Sequence, residues 1–94
     1  MKRAVAIVPW RDGLHLRPAA RLVQEARKFQ STVILKCGGR MADLRSVLSL
    51  LALCAALGAT LEIEAVGDDE QNAAEAVERV FAPEADPTDS ADMM

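Results

Sequence analysis

The spacing of apolar residues along this chain switches repeatedly between a period of two and a period near 3.6, and that succession limits the fold more than any other property. Arg3 to Val8 reads as a strand, with Val5, Ile7 and their neighbours apolar and Pro9 closing it. From Leu16 the period becomes helical: Ala19, Leu22, Val23, Ala26 and Phe29 fall on one face, opposite Arg21, Gln24, Glu25 and Lys28. Pro18 is compatible only with the first turn of that helix, because proline has no N–H to give to a preceding carbonyl. Ser31 to Cys37 returns to strand spacing, and Gly38-Gly39 is a two-residue hairpin turn into a short strand, Arg40 to Leu44.

Ser46 is placed to cap a second helix, for which Gly58 supplies a stop. That helix is apolar on nearly every side. Thr60 to Val66 alternates Leu61, Ile63 and Ala65 against Thr60, Glu62 and Glu64, the pattern of a half-exposed strand. Gly67-Asp68-Asp69-Glu70 opens a third helix with acidic residues where they suit the dipole, and Ala73, Ala74, Val77, Val80 and Phe81 form its buried stripe. The predicted order is βαββαβα: an α+β open-faced β-sandwich, with a four-stranded antiparallel sheet covered on one face by three helices. Residues 1–82 form the expected domain, and 83–94, rich in proline and acid, are expected to be a disordered tail.

At 94 residues the chain can close one core. Aromatics make up only 3%, so that core must be built from Ala, Val, Leu and Ile. Cys37 and Cys54 follow no metal-ligand spacing, and the start lacks the apolar run of a signal peptide, so a reducing, cytoplasmic setting is expected, with both thiols inert. The most apolar run, Val47 to Leu57, is too short to insert in a membrane. Residues 1–45 hold ten Lys/Arg against three Asp/Glu, and residues 46–94 hold one against eleven. The first half suits anionic groups, while the acidic second half argues against nucleic acid as a partner.

The single histidine, His15, stands in Gly13-Leu14-His15-Leu16-Arg17-Pro18-Ala19-Ala20, between a glycine-containing loop and a proline-marked helix start. Backbone N–H groups at such a start can hold phosphate oxygens, and Arg17 adds a planar cation able to bind the same oxygens through more than one hydrogen bond. With no Cys or His partner nearby, zinc coordination is disfavoured. In the plainer alternative, His15 is a helix-start residue and Arg17 a solvated charge.

This octapeptide resembles the phosphorylation-site motif of the HPr family, the histidine-containing phosphocarriers of the bacterial sugar phosphotransferase system, and Ser46-Val47-Leu48-Ser49-Leu50 is similar to that family's regulatory-serine segment. The resemblance spans about residues 3 to 82. It implies that His15 accepts a phosphoryl group on Nδ1 from enzyme I, charged by phosphoenolpyruvate, and passes it to enzyme IIA-type proteins, with Arg17 steering the group. It implies regulation at Ser46 by HPr kinase/phosphorylase, although helix capping alone also accounts for that serine. It further implies a docking surface of Ala20, Gln24 and Arg27 from the first helix with Val47, Leu48 and Leu51 from the second, and a monomeric carrier without metal or organic cofactor. Asp12 departs from the small neutral polar residue expected in that loop, and Trp10, also unusual there, is expected to be partly buried. Two other readings share these features: a carrier of the nitrogen-related phosphotransferase branch, and a regulatory docking module without phosphoryl flux.

Overall fold

A computed structural model describes residues 1–53 and 55–82. The expected disorder of 83–94 and the expected core position of Cys54 lie outside the described residues. The order is β1 (Lys2–Ile7), α1 (Leu16–Ala26), β2 (Thr32–Cys37), β3 (Arg40–Asp43), α2 (Val47–Ala52), β4 (Thr60–Val66) and α3 (Glu70–Val80), the predicted succession. Between β2 and β3, Cys37 pairs with Arg40 across Gly38 and Gly39. These glycines sit at φ 55° and 86°. Positive φ at both central residues is the primed turn whose twist suits a hairpin, and glycine reaches it at little cost.

The four strands form one antiparallel sheet in the order β1-β4-β2-β3. From its covered face Leu61, Ile63 and Ala65 of β4 and Val33 and Leu35 of β2 enter the core, meeting Ala19, Leu22 and Val23 of α1 and Ala73, Ala74 and Val77 of α3. Alanines at the contact positions let helices approach the sheet closely, while Leu22, Leu35, Leu61 and Ile63 fill the space between. Truncating any of these four large side chains to alanine costs about 2–5 kcal/mol by the usual range for buried aliphatics.

The second helix departs from expectation. It ends at Ala52, with Leu53 as its C-cap, and not at Gly58. The reason is tertiary. The chain beyond it bonds to the segment after β1: Leu14 N–H donates to the Ala55 carbonyl at 2.8 Å, Gly58 N–H to Val8 at 2.9 Å, and Val8 N–H to Ala59 at 3.0 Å. These bonds claim backbone groups that a longer helix would need.

Glu64 also departs from expectation, since it is only 6% exposed although it alternates with core residues. It lies on the sheet face that carries no helix, but β4 is interior to the sheet, and neighbours close over it. Lys36 Nζ stands 2.9 Å and Arg3 Nε 3.6 Å from its Oε2. Lys36 above all, with Arg3 assisting, holds this carboxyl below the ordinary range against the opposing effect of burial.

Trp10 is buried, 5% exposed, and more enclosed than expected. Its ring packs on Phe81 with centroids 5.2 Å apart and planes tilted by 40°. At the other end of α3, Asp69 accepts hydrogen bonds from the N–H groups of Gln30 and Ser31 at 2.9 Å each, and one from the Ser31 hydroxyl. The end of α1 is thereby fastened to the start of α3.

Candidate functional site

The loop from Val8 to Leu14 is held on both sides, by Trp10 against Phe81 and by its bonds to residues 55–59. Gly13, at φ 73°, lies so close to this second segment that a Cβ would stand 2.5 Å from the Ala55 carbonyl oxygen. His15 leaves the loop in an extended conformation as the N-cap of α1, and its side chain does not cap the helix. The Ala19 N–H donates to the His15 carbonyl, starting the helical ladder, and Pro18 has no N–H. The amides of Leu16 and Arg17 are therefore left without an acceptor inside the helix, at its positive end.

The half-buried ring turns back on its own loop, with Nδ1 2.8 Å from the Gly13 carbonyl oxygen. A carbonyl only accepts, so Nδ1 donates and the lone pair of the neutral ring lies on Nε2.

An open groove runs from this ring along α1, lined by Asp12, His15, Leu16 and Arg17, then Ala20, Arg21 and Gln24. The structure thus gathers four of the sequence-selected residues: His15, Arg17, Ala20 and Gln24. It does not bring in Arg27, which is the C-cap of α1, about 18 Å along the axis from His15 at 1.5 Å per residue. Arg21 and Leu16 were missed. The signal for Arg21 was its i+4 spacing from Arg17, which puts the two guanidinium-bearing residues on one face a turn apart. Asp12 lines the groove as well, so an acidic residue stands beside the arginines.

Ser46 caps α2, accepting the Ser49 N–H on Oγ at 3.1 Å. Nearby, Asp43 accepts from the Arg45 side chain and backbone, and these bonds lower its carboxyl from the ordinary range. Within α2 only Leu50 is fully buried. Val47 and Leu51 are partly buried against the core, and Leu48 is 78% exposed. Leu16, beside His15, is 63% exposed. The helix packs on α1, so apolar side chains flank the side of the molecule that bears His15.

The structure thus places a histidine at the start of α1 on an open-faced sandwich. The family model described as the phosphotransferase-system HPr component phosphorylation site matches residues 2–82. The chain belongs to the HPr family, the phosphocarriers of the phosphotransferase system. Among its relatives, it is 44% identical over 64 residues to the phosphocarrier protein HPr of Haemophilus influenzae, covering 68% of this chain and 75% of that one. It is 37% identical over 70 residues to the HPr-like protein Crh of Halalkalibacterium halodurans, covering 74% and 83%. The solved histidine-containing phosphocarrier protein of Mycoplasma superposes with a TM-score of 0.83 at 30% identity, covering 89% of this chain and 96% of that one.

Among the described residues no three His, Cys, Asp or Glu side chains cluster as metal ligands, and no helix is long and apolar enough to cross a membrane.

Proposed function

We propose that this protein carries a phosphoryl group on His15 from phosphorylated enzyme I to enzyme IIA-type proteins of the phosphoenolpyruvate-dependent sugar phosphotransferase system. The observation that carries the reading is the placement of His15 as the N-cap of α1, its side chain leaving the helix start open, with Leu16 and Arg17 lining the same groove. An unprotonated ring nitrogen attacks phosphorus, a nitrogen–phosphorus bond forms, and the bond from phosphorus to the donor breaks, the electron pair leaving with the donor. The amides and Arg17 meet the three equatorial oxygens as charge builds on them.

Family resemblance makes Nδ1 the acceptor. In the resting site that nitrogen donates to Gly13, so the ring must leave this contact and carry its proton on Nε2 before attack. Enzyme I and phosphoenolpyruvate should label the chain with acid-labile, alkali-stable phosphate. His15→Ala should lose all label with an unchanged melting temperature, and label persisting in that variant would sink the proposal.

The exposed Leu48, with Val47, Leu51, Ala20 and Gln24, supplies the docking surface for both partners. A carrier that must depart after each transfer is served by a small, weak interface. Ser46 is a second modification point for HPr kinase/phosphorylase: phosphate oxygens there would take over the cap and add a dianion at the start of α2. Kinase and ATP should modify the wild type and not Ser46→Ala. Similarity to Crh favours a second reading, a regulatory docking module, but such a module has no use for the His15 imidazole.

A further inference from the structure

The described chain ends beside the His15 groove. Asp69, at the start of α3, is bonded to Gln30 and Ser31 just beyond the end of α1, so the two helices run antiparallel. The far end of α3 therefore returns to the start of α1. Phe81, its C-cap, is 4% exposed and packs on Trp10 in the loop that leads to His15. Residues 83–94 follow Phe81 and Ala82 in the chain.

That segment reads Pro-Glu-Ala-Asp-Pro-Thr-Asp-Ser-Ala-Asp-Met-Met, with Glu84, Asp86, Asp89 and Asp92 and no Lys or Arg. The groove beside its point of departure bears Arg17 and Arg21. An extended stretch of this length spans roughly 40 Å, whereas α1 is about 16 Å long, so the groove is within easy reach. Tethering holds the carboxylates near the arginines at an effective concentration in the millimolar range, on the order expected of short linkers.

We propose that the acidic segment 83–94 docks in the groove between His15 and Gln24, sets its carboxylates against Arg17 and Arg21, and competes there with phosphate. Exposed ion pairs are individually weak and screened by salt, so the docking is reversible and yields to a phosphoryl dianion. Its consequence for transfer rests on the proposed role of His15, but the docking itself does not.

The test compares the full chain with the full-length variant E84Q/D86N/D89N/D92N, using amide NMR and titration with inorganic phosphate at low salt. The expected result is that, outside the substituted segment itself, amide shifts differ only around Asp12–Leu16, Arg17, Arg21 and Gln24, independently of protein concentration. The difference should vanish near 1 M KCl, where the Debye length is about 3 Å. Phosphate should bind the variant roughly five-fold more tightly, the low end of ordinary coupling between sites. Unchanged groove shifts, changes centred on Val5, Ile7 and Met41 of the sheet face, concentration-dependent changes that indicate a second copy, or equal phosphate affinity would each overturn the proposal. Neither measurement needs phosphorylated His15, so failure of the carrier reading and failure of this one are told apart.

Discussion

At the scale of single residues, the site depends on Gly13 as much as on His15. Gly13 is in the left-handed region, its backbone packs against Ala55, and its carbonyl holds the His15 ring. Gly13→Ala would put a Cβ onto the Ala55 carbonyl and force a side-chain-bearing residue to φ 73°. We expect a loss of about 2–3 kcal/mol in urea unfolding, combining left-handed strain with overpacking. The His15 ring ¹⁵N resonances should move with it, because the carbonyl that fixes the tautomer is displaced. Unchanged ring resonances would show that Gly13 does not govern the ring.

At the scale of elements, α1 and α2 divide the work. The first supplies the backbone amides of its opening turn and the arginines, and the second supplies exposed hydrophobic surface. Leu48 projects from α2 outside the core, so Leu48→Ser should change the melting temperature by no more than about 4 °C, as surface changes of up to roughly 0.5 kcal/mol do in a domain of this size. The same substitution should raise the KM for phosphorylation by enzyme I several-fold, since apolar area leaves the proposed docking surface. A marked fall in melting temperature would instead make Leu48 a core residue. The shortness of α2 belongs to this scale too, because its continuation is committed to the loop that supports His15.

At the scale of the molecule, two carboxylates, Asp69 and Glu64, tie together elements far apart in sequence, and a third, Asp43, pairs locally with Arg45. Asp69 is lowered first by the Ser31 hydroxyl and then by the Gln30 amide, Glu64 first by Lys36, and Asp43 first by Arg45. Each has a folded-state pKa below its unfolded one. Their contribution is therefore fully present above the unfolded values, near 3.8 for Asp and 4.5 for Glu, and is lost as pH falls through the folded values. The urea midpoint should hold from pH 7 to about 5 and fall below about 4, a window set by those reference values. Glu64→Gln should lower the midpoint at pH 7, where Lys36 and Arg3 lose their counter-charge, and should shrink the acid-induced fall. An acid profile identical to that of the wild type would remove Glu64 from this account.

The order of elements, the glycine hairpin, the helix starts and the motif around His15 were all determined by the sequence alone, because hydrophobic period and turn chemistry act over a few neighbouring residues. What remained for the tertiary structure was set by contacts between distant residues. Periodicity gives the face of a strand but not its place in the sheet, and the placing of β4 between β1 and β2 is what buries Glu64. Propensity favours a longer α2, and backbone bonds to Val8 and Leu14 end it early. The motif located His15 and Arg17, but the folded loop aimed Nδ1 at Gly13, placed Asp12 and Arg21 on the groove, left Arg27 at the far end of α1, and packed Trp10 on Phe81. Close approach across the chain decided the burial of Glu64, the end of α2 and the packing of Trp10, and no local pattern encodes it, whereas the places of Arg21 and Arg27 follow from the helical repeat of α1.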